Sequence, residues 1–362
     1  MASQIAVFVV IILLTARIGS AIGCNVQAIF TFGDSIVDAG NNHFIKNCSA
    51  QADFQPYGSS YFHKPTGRFT NGRTVPDFLS QFLGIPIQKP FLQVQLELAK
   101  GTKCGYPSNG VNFASAGSGM LMQTNKDWGV IPIQAQLKHF QALVKHNRFN
   151  KKLIKQSLFL LESGSNDIFN YFNPFYSPTL DPDAYVQAML TEATSLISQL
   201  YRLGARRITA VGLGPVGCIP ARALLPGAPI KKCFGKMNKM VKDYNKGLEA
   251  LVNAMPVNYP GIVGVYGDVY LTTQKLRAMP TTYGFVNVTH ACCGDGVLGG
   301  TLQCGKEGYK MCSNPDQFLF WDYFHPTEHT YNFISKGLWA GGKASIRPIN
   351  LKTMANLTLP IL

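Results

Sequence analysis

A chain of 362 residues with 46% hydrophobic and 14% charged residues carries enough apolar mass for a buried core, which excludes a disordered polypeptide. Its formal charge of +14 comes from scattered lysines and arginines, with Lys151-Lys152, Arg206-Arg207 and Lys231-Lys232 as the only doublets. No nucleic-acid-reading motif accompanies them, so the charge argues against DNA or RNA as a partner and for weak association with an anionic surface such as a cell-wall polymer.

In chain order, the first feature is an apolar run of twelve residues from Ile5 to Ala16, followed by the small residues Gly19, Ser20, Ala21 and Gly23. The run is shorter than the roughly 20 residues needed to span a bilayer, and the small residues resemble a cleavage region. Residues 1–23 therefore read as a signal peptide and residues 24–362 as a single secreted, extracellular domain, with no transmembrane segment. Candidate strands follow at Ala28–Phe32, Gly110–Ala114, Ser157–Leu161, Arg207–Val211 and Ile262–Tyr266; each is short, rich in branched or aromatic residues, and stopped by turn formers. Between and after them, helical spacing marks Val75–Leu83, Ile133–Lys145, Asp183–Leu203, Phe234–Met255 and Pro326–Leu338. Pro182 suits the first turn of the third of these and Gly204 its end. Strands alternating with helices predict a parallel sheet covered on both faces, with ligands beyond the carboxyl ends of the strands. Ala291–Asn314, rich in Gly and Cys, reads as a disulfide-stapled loop leading into the final helix.

The residues with chemical potential lie where such a sheet would collect them. Ser35 follows the first strand in Phe32-Gly33-Asp34-Ser35, with its hydroxyl turned out of the sheet edge and a helix expected to start behind it. Asp34 reads as a turn-stabilising residue through backbone hydrogen bonds. Asp322 and His325 share one turn near the end; three-residue spacing brings the carboxylate to Nδ1 and leaves Nε2 free for Ser35. A serine hydroxyl needs such a base to become nucleophilic. His325-Pro326-Thr327-Glu328-His329 also spells H-x-x-E-H, but no acidic residue follows Glu328 to complete a zinc site, so no metal or cofactor is expected and His329 is assigned to the helix surface. G-x-S-x-G is absent, which separates the chain from α/β-hydrolases.

Four separated blocks now stand together: Phe32-Gly33-Asp34-Ser35, Asn112-Phe113-Ala114-Ser115-Ala116-Gly117, Gly164-Ser165-Asn166-Asp167, and Phe320-Trp321-Asp322 with His325-Pro326-Thr327-Glu328. In this order they resemble the plant GDSL esterase/lipases of the SGNH hydrolase superfamily, from about Ala28 to about Leu338. The resemblance implies a flavodoxin-like three-layer α/β/α fold with a five-stranded, mainly parallel sheet. It also implies a carboxylic ester hydrolase with Ser35, Asp322 and His325 as catalytic residues. The oxyanion donors carried over are the backbone N–H groups of Ser35 and Gly117 and the side-chain amide of Asn166. Ile36 stands where the family has Leu, and Glu162-Ser163 before Gly164 is atypical. Asn112 and Asp167 read as turn-stabilising residues.

The expected reaction is ester hydrolysis through an acyl-enzyme, falling in mild acid as the imidazole protonates. An acyltransferase with an alcohol acceptor shares the first half-reaction, and an idle binding or defence protein on the same fold is the rival from another class. Sequons at Asn47, Asn287 and Asn356 mark N-glycosylation candidates. Besides Cys24 at the expected cleavage boundary, eight cysteines are available for disulfides, in 105 possible pairings.

Overall fold

A computed structural model describes residues 25–359; the expected signal peptide and Cys24 lie outside them. The chain runs β1 (Ile29–Gly33), α1 (Val75–Leu83), α2 (Phe91–Ala99), β2 (Gly110–Asn112), α3 (Ile133–Lys145), α4 (Lys151–Gln156), β3 (Leu158–Glu162) and α5 (Ser165–Tyr171). Then come α6 (Pro182–Arg202), β4 (Arg207–Val211), α7 (Gly235–Asn258), β5 (Val263–Gly267) and α8 (Val269–Ala278). The last part holds β6 (Asn287–Ala291), β7 (Cys293–Gly294), β8 (Lys310–Met311), β9 (Phe318–Phe320), α9 (Glu328–Ala340), β10 (Ile346–Arg347) and α10 (Leu351–Asn356).

β1 lies inside the sheet, next to the edge strand β2, because both its edges find parallel partners, Ile29 opposite Gly110 of β2 and opposite Leu158 of β3. The main sheet has the order β2-β1-β3-β4-β5-β10, with β1 to β5 parallel. The five expected strands are thus joined by a sixth, β10, antiparallel to β5. Two residues are too few to show alternation in a sequence, which is why β10 was not legible.

Alternation along the strands sorts the core into two layers. Phe30, Phe32, Phe159 and Ile208 face α3, α6 and α7, where the Phe140 ring lies tilted at 5.0 Å from that of Phe30. Ile29, Leu158, Leu160 and Val265 face α1, α9 and α10. The result is the three-layer α/β/α arrangement. Asn25 closes it by donating its backbone N–H to Ala355 at 3.0 Å, which ties the start of the described chain to α10. Among the described residues, no helix is long and apolar enough to cross a membrane.

Helix boundaries depart from expectation most clearly in α7 and α9. α7 runs past Pro256 to Asn258, because a proline in the last turn forfeits little more than its own N–H bond. α9 begins at Glu328 rather than Pro326: the Thr327 side chain caps it by accepting from the Thr330 N–H, while the Pro326 carbonyl accepts from the Thr70 hydroxyl at 3.0 Å.

Candidate active site

The carboxyl end of β1 is clamped before it turns. Gln136 of α3 accepts from the Gly33 N–H and donates to the Gly33 carbonyl, both at 2.9 Å. Gly33 has a φ of +152°, and a Cβ there would lie 1.9 Å from the Glu162 carbonyl oxygen, so only glycine lets β1 run this close to β3. Ser35 follows on a single turn in which the Val37 and Asp38 N–H groups donate to the Asp34 carbonyl. No helix starts there, contrary to expectation. Asp38 is instead drawn away to accept from Gly40, Asn41 and, at 3.0 Å, Ala116.

Those contacts tie the Ser35 turn to the Gly117 loop. The Asn41 amide donates to the Asn112 and Ala114 carbonyls, and the Asn42 amide to the Ala116 carbonyl. Asn112 acts as expected in the turn, donating to Val37 and accepting from Ala114. From the other side, the buried Asn125 amide donates to the Gly117 carbonyl at 2.8 Å. Gly117 has a φ of +82°, and neither its N–H nor that of Ser35 has a protein acceptor among the described residues. Asn166 sits in the first turn of α5 and donates one amide N–H to the Ser118 carbonyl at 2.9 Å, which leaves its second N–H uncommitted. Asp167 locks the same loop by accepting from Met120, Leu121 and the Thr124 hydroxyl. Burial raises its pKa. Gly119 is required because a Cβ there would meet the Asp167 carboxylate at 2.3 Å.

Asp322 and His325 arrive from the far end of the chain. β6 pairs with β9, and Cys292 and Cys293 donate to the Phe320 and Trp321 carbonyls at 3.0 and 2.7 Å, fixing the segment that enters Asp322. The Asp322 Oδ1 accepts from the Phe324 and His325 N–H groups, which closes the turn. His325 Nδ1 lies 2.7 Å from Asp322 Oδ1, and its Nε2 lies 2.8 Å from the Ser35 hydroxyl oxygen. Ser35 and His325 are 7% and 5% exposed and Asp322 is fully buried, so the relay has one open end, at the serine. The Phe69 ring lies 4.8 Å from the imidazole and limits its tilt.

Some site residues escaped the sequence. Tyr57, fully buried between Phe69 and Trp321, donates its hydroxyl to Asp322 Oδ2 at 2.7 Å. No local pattern links residues 265 positions apart. Glu162, atypical by sequence, is buried beside Asp34. Each has one carboxyl oxygen without a partner among the described residues, and the two side chains lie within hydrogen-bonding reach of each other. Burial pushes Asp34 up to about 6 and Glu162 well above the usual carboxylate range, so Glu162 keeps its proton beside Asp34. Asp34 also accepts from the Ile36 N–H, the backbone role expected of it.

The remaining candidates fall elsewhere. Glu328 accepts from Arg73 at 2.6 Å. His329 is not a surface residue: it is half-buried against Phe285 and Phe333, with Nε2 3.1 Å from the Tyr283 carbonyl. Neither side chain faces Ser35. Disulfides join Cys218–Cys233, Cys292–Cys312 and Cys293–Cys304, while Cys48 and Cys104 form no bridge among the described residues. The expected staple in Ala291–Asn314 thus consists of two bridges. Asn47 and Asn356 are exposed, whereas Asn287 is half-buried and accepts from the Thr289 and His290 N–H groups.

Two cavities meet at Ser35, Asn166, Phe324 and His325. A buried hydroxyl, a carboxylate-oriented imidazole and unpaired N–H donors beside open space are equipped for attack on a carbonyl carbon.

Comparison with known proteins fits this geometry. Residues 29–338 match the family described as GDSL-like Lipase/Acylhydrolase. The chain is 63% identical over 330 residues to GDSL esterase/lipase 6 of Arabidopsis thaliana, covering 91% of both chains. It is 33% identical to GDSL esterase/lipase 5 of the same plant, over 91% of this chain and 88% of that one. It is 32% identical to a GDSL lipase of Tanacetum cinerariifolium, over 96% and 93%.

Proposed function

The chain belongs to the family of GDSL-like lipases and acylhydrolases and is a carboxylic ester hydrolase; from that premise we propose that it cleaves its ester through an acyl-enzyme on Ser35. The observation that carries this reading is the 2.8 Å contact between His325 Nε2 and the Ser35 hydroxyl, continued at 2.7 Å to Asp322. In the proposed cycle the Ser35 oxygen bonds to the acyl carbon as its proton passes to His325 Nε2. The carbonyl oxygen then takes the electron pair and is held by the Ser35 N–H, the Gly117 N–H and the free Asn166 N–H. Collapse breaks the bond to the alcohol, which leaves with the proton from His325. Water then attacks the acyl group, gives its proton to His325, and the acid is released as that proton returns to Ser35. Asp322 holds the tautomer and stabilises the imidazolium throughout.

Ser35→Ala should lower kcat/KM on 4-nitrophenyl esters by more than about a thousandfold. Retention of a tenth of the wild-type rate would overturn the role.

We further propose that the protein is secreted as a single domain and glycosylated at its sequons. Three disulfides support an oxidising destination. N-terminal sequencing of protein made with its leader should begin near residue 24. The charge of +14 supports weak, salt-reversible retention on anionic wall polymer.

A further inference from the structure

The two cavities that share Ser35 differ in chemistry, and the difference bears on the substrate. One runs from Ser35 along the ends of β4 and β5 and is walled by Val37, Val216, Ile219, Val269, Phe320 and Ile334. Among the described residues, Glu162 and His325 are the only ionisable ones lining it. The other includes Gly117 and is more mixed: the amides of Asn125, Asn170, Asn173 and Gln303 share its wall with Phe69, Trp128, Phe169, Leu224 and Tyr323. Among the described residues, no Asp, Glu, Lys or Arg lines this second cavity.

The amides in the second cavity are not all committed. Asn125 is spent on Gly117 and accepts from Asn170 and the Tyr176 hydroxyl. The Asn173 amide N–H groups, the Asn170 carbonyl oxygen and the Gln303 carbonyl oxygen have no protein partner among the described residues. Neutral donors and acceptors beside aromatic faces suit a neutral polyhydroxylated group, whose C–H faces lie on rings while its hydroxyls take amides. An alkyl chain there would leave those amides dry and unpaired. The first cavity offers the reverse: a hydroxylated group would lose its water hydrogen bonds against valine, isoleucine and phenylalanine, whereas methylenes gain by leaving water.

Accordingly, and resting on the acyl-enzyme reading above, we propose that the substrate is an ester of an aliphatic acid with a neutral sugar. The acyl chain occupies the Val216–Val269 cavity and the alcohol occupies the Asn173–Gln303 cavity. Neither half carries a charge.

Gly214 offers a probe of the acyl side. A Cβ built there makes only ordinary contacts, 3.8 Å from Val269 and 4.0 Å from Thr273, so larger side chains at this position project into the cavity without backbone strain. Gly214→Val and, independently, Val269→Trp should each lower the octanoate-to-acetate ratio of kcat/KM on 4-nitrophenyl esters by about tenfold or more. Asn173→Ala should leave that ratio in place and lower the ratio of octanoyl-glucose to octyl-octanoate cleavage by about tenfold. Each ratio is read within one protein preparation, so partial loss of folded enzyme cancels. Crossed responses, with Gly214→Val and Val269→Trp changing only the alcohol preference, would overturn the assignment, as would faster cleavage of octanoylcholine than of octanoyl-glucose by wild-type protein. Failure of all these esters while a 4-nitrophenyl octylphosphonate still labels Ser35 would overturn this substrate class and leave the acyl-enzyme reading standing. Failure of the phosphonate to label Ser35 would remove the acyl-enzyme reading, and this proposal with it.

Discussion

Tyr57 and Glu162 each act through a neighbour, Tyr57 through Asp322 and Glu162 through Asp34. Asp322 takes bonds from two backbone N–H groups, an imidazole and the Tyr57 hydroxyl, so its orientation is fixed from every side. A hydrogen bond to a charged group contributes about 1.5–3 kcal/mol. Tyr57→Phe should therefore lower kcat about tenfold to a hundredfold with little change in KM, measured on a short 4-nitrophenyl ester. A rise in KM at constant kcat would place Tyr57 in binding instead. Glu162 acts on the other flank, where burial favours its protonated form next to Asp34. The folded chain therefore holds protons that the unfolded chain has already released, and stability from this pair falls as pH rises from the ordinary carboxyl range through the raised values, starting with the step near 6 for Asp34. Glu162→Gln keeps the hydrogen-bond donor and removes the titration. The variant's Tm should gain on the wild type between pH 5 and pH 8; parallel Tm curves would count against the shared proton. Neither residue could be assigned from sequence, since Tyr57 depends on a tertiary contact and Glu162 on its burial.

At the scale of elements, the parts that carried a local signal were legible and those held by tertiary contacts were not. α1 and α3 were placed to the residue, and β4 likewise, because helical or strand periodicity and turn residues agreed there. α2, α4, α5, α8 and α10 lack a long amphipathic stretch and form where neighbours cover them. The site blocks were legible by their resemblance, but the polar frame around them was not: Asp38, Asn41 and Asn42 bind a loop about 75 residues away. The same holds for α1, which was found without its anchor. Asp77 in its first turn forms a two-pronged ion pair with Arg68, 5% exposed, at 2.8 Å for both contacts, and also caps Thr74. Removing one partner of a buried pair leaves the other charge uncompensated, at a cost of about 3–5 kcal/mol. Asp77→Ala should lower the urea midpoint accordingly; a change within measurement error would mean the pair adds nothing.

For the whole molecule, the disulfide loop decides how firmly the histidine end is seated. Cys292 and Cys293 bond through their N–H groups to the strand that leads into Asp322, and each is also bridged through sulfur, to Cys312 and Cys304. A bridge closing a loop of this size is worth about 3 kcal/mol. Replacing Cys292 and Cys312 together by serine should lower the urea midpoint and reduce kcat more than KM, while Cys218→Ser with Cys233→Ser should affect stability with a smaller effect on kcat. Equal kcat losses in the two pairs would show that the loop has no special hold on Asp322. The position of this loop late in the chain has a further consequence. During synthesis the hydroxyl of residue 35 exists 290 residues before the imidazole beside it has been made, so on the proposed reading a growing or truncated polypeptide can bury much of its sheet and still be chemically silent. On that reading, a chain that stops between Gly267, the end of β5, and His325 keeps the five parallel strands but is inert toward esters.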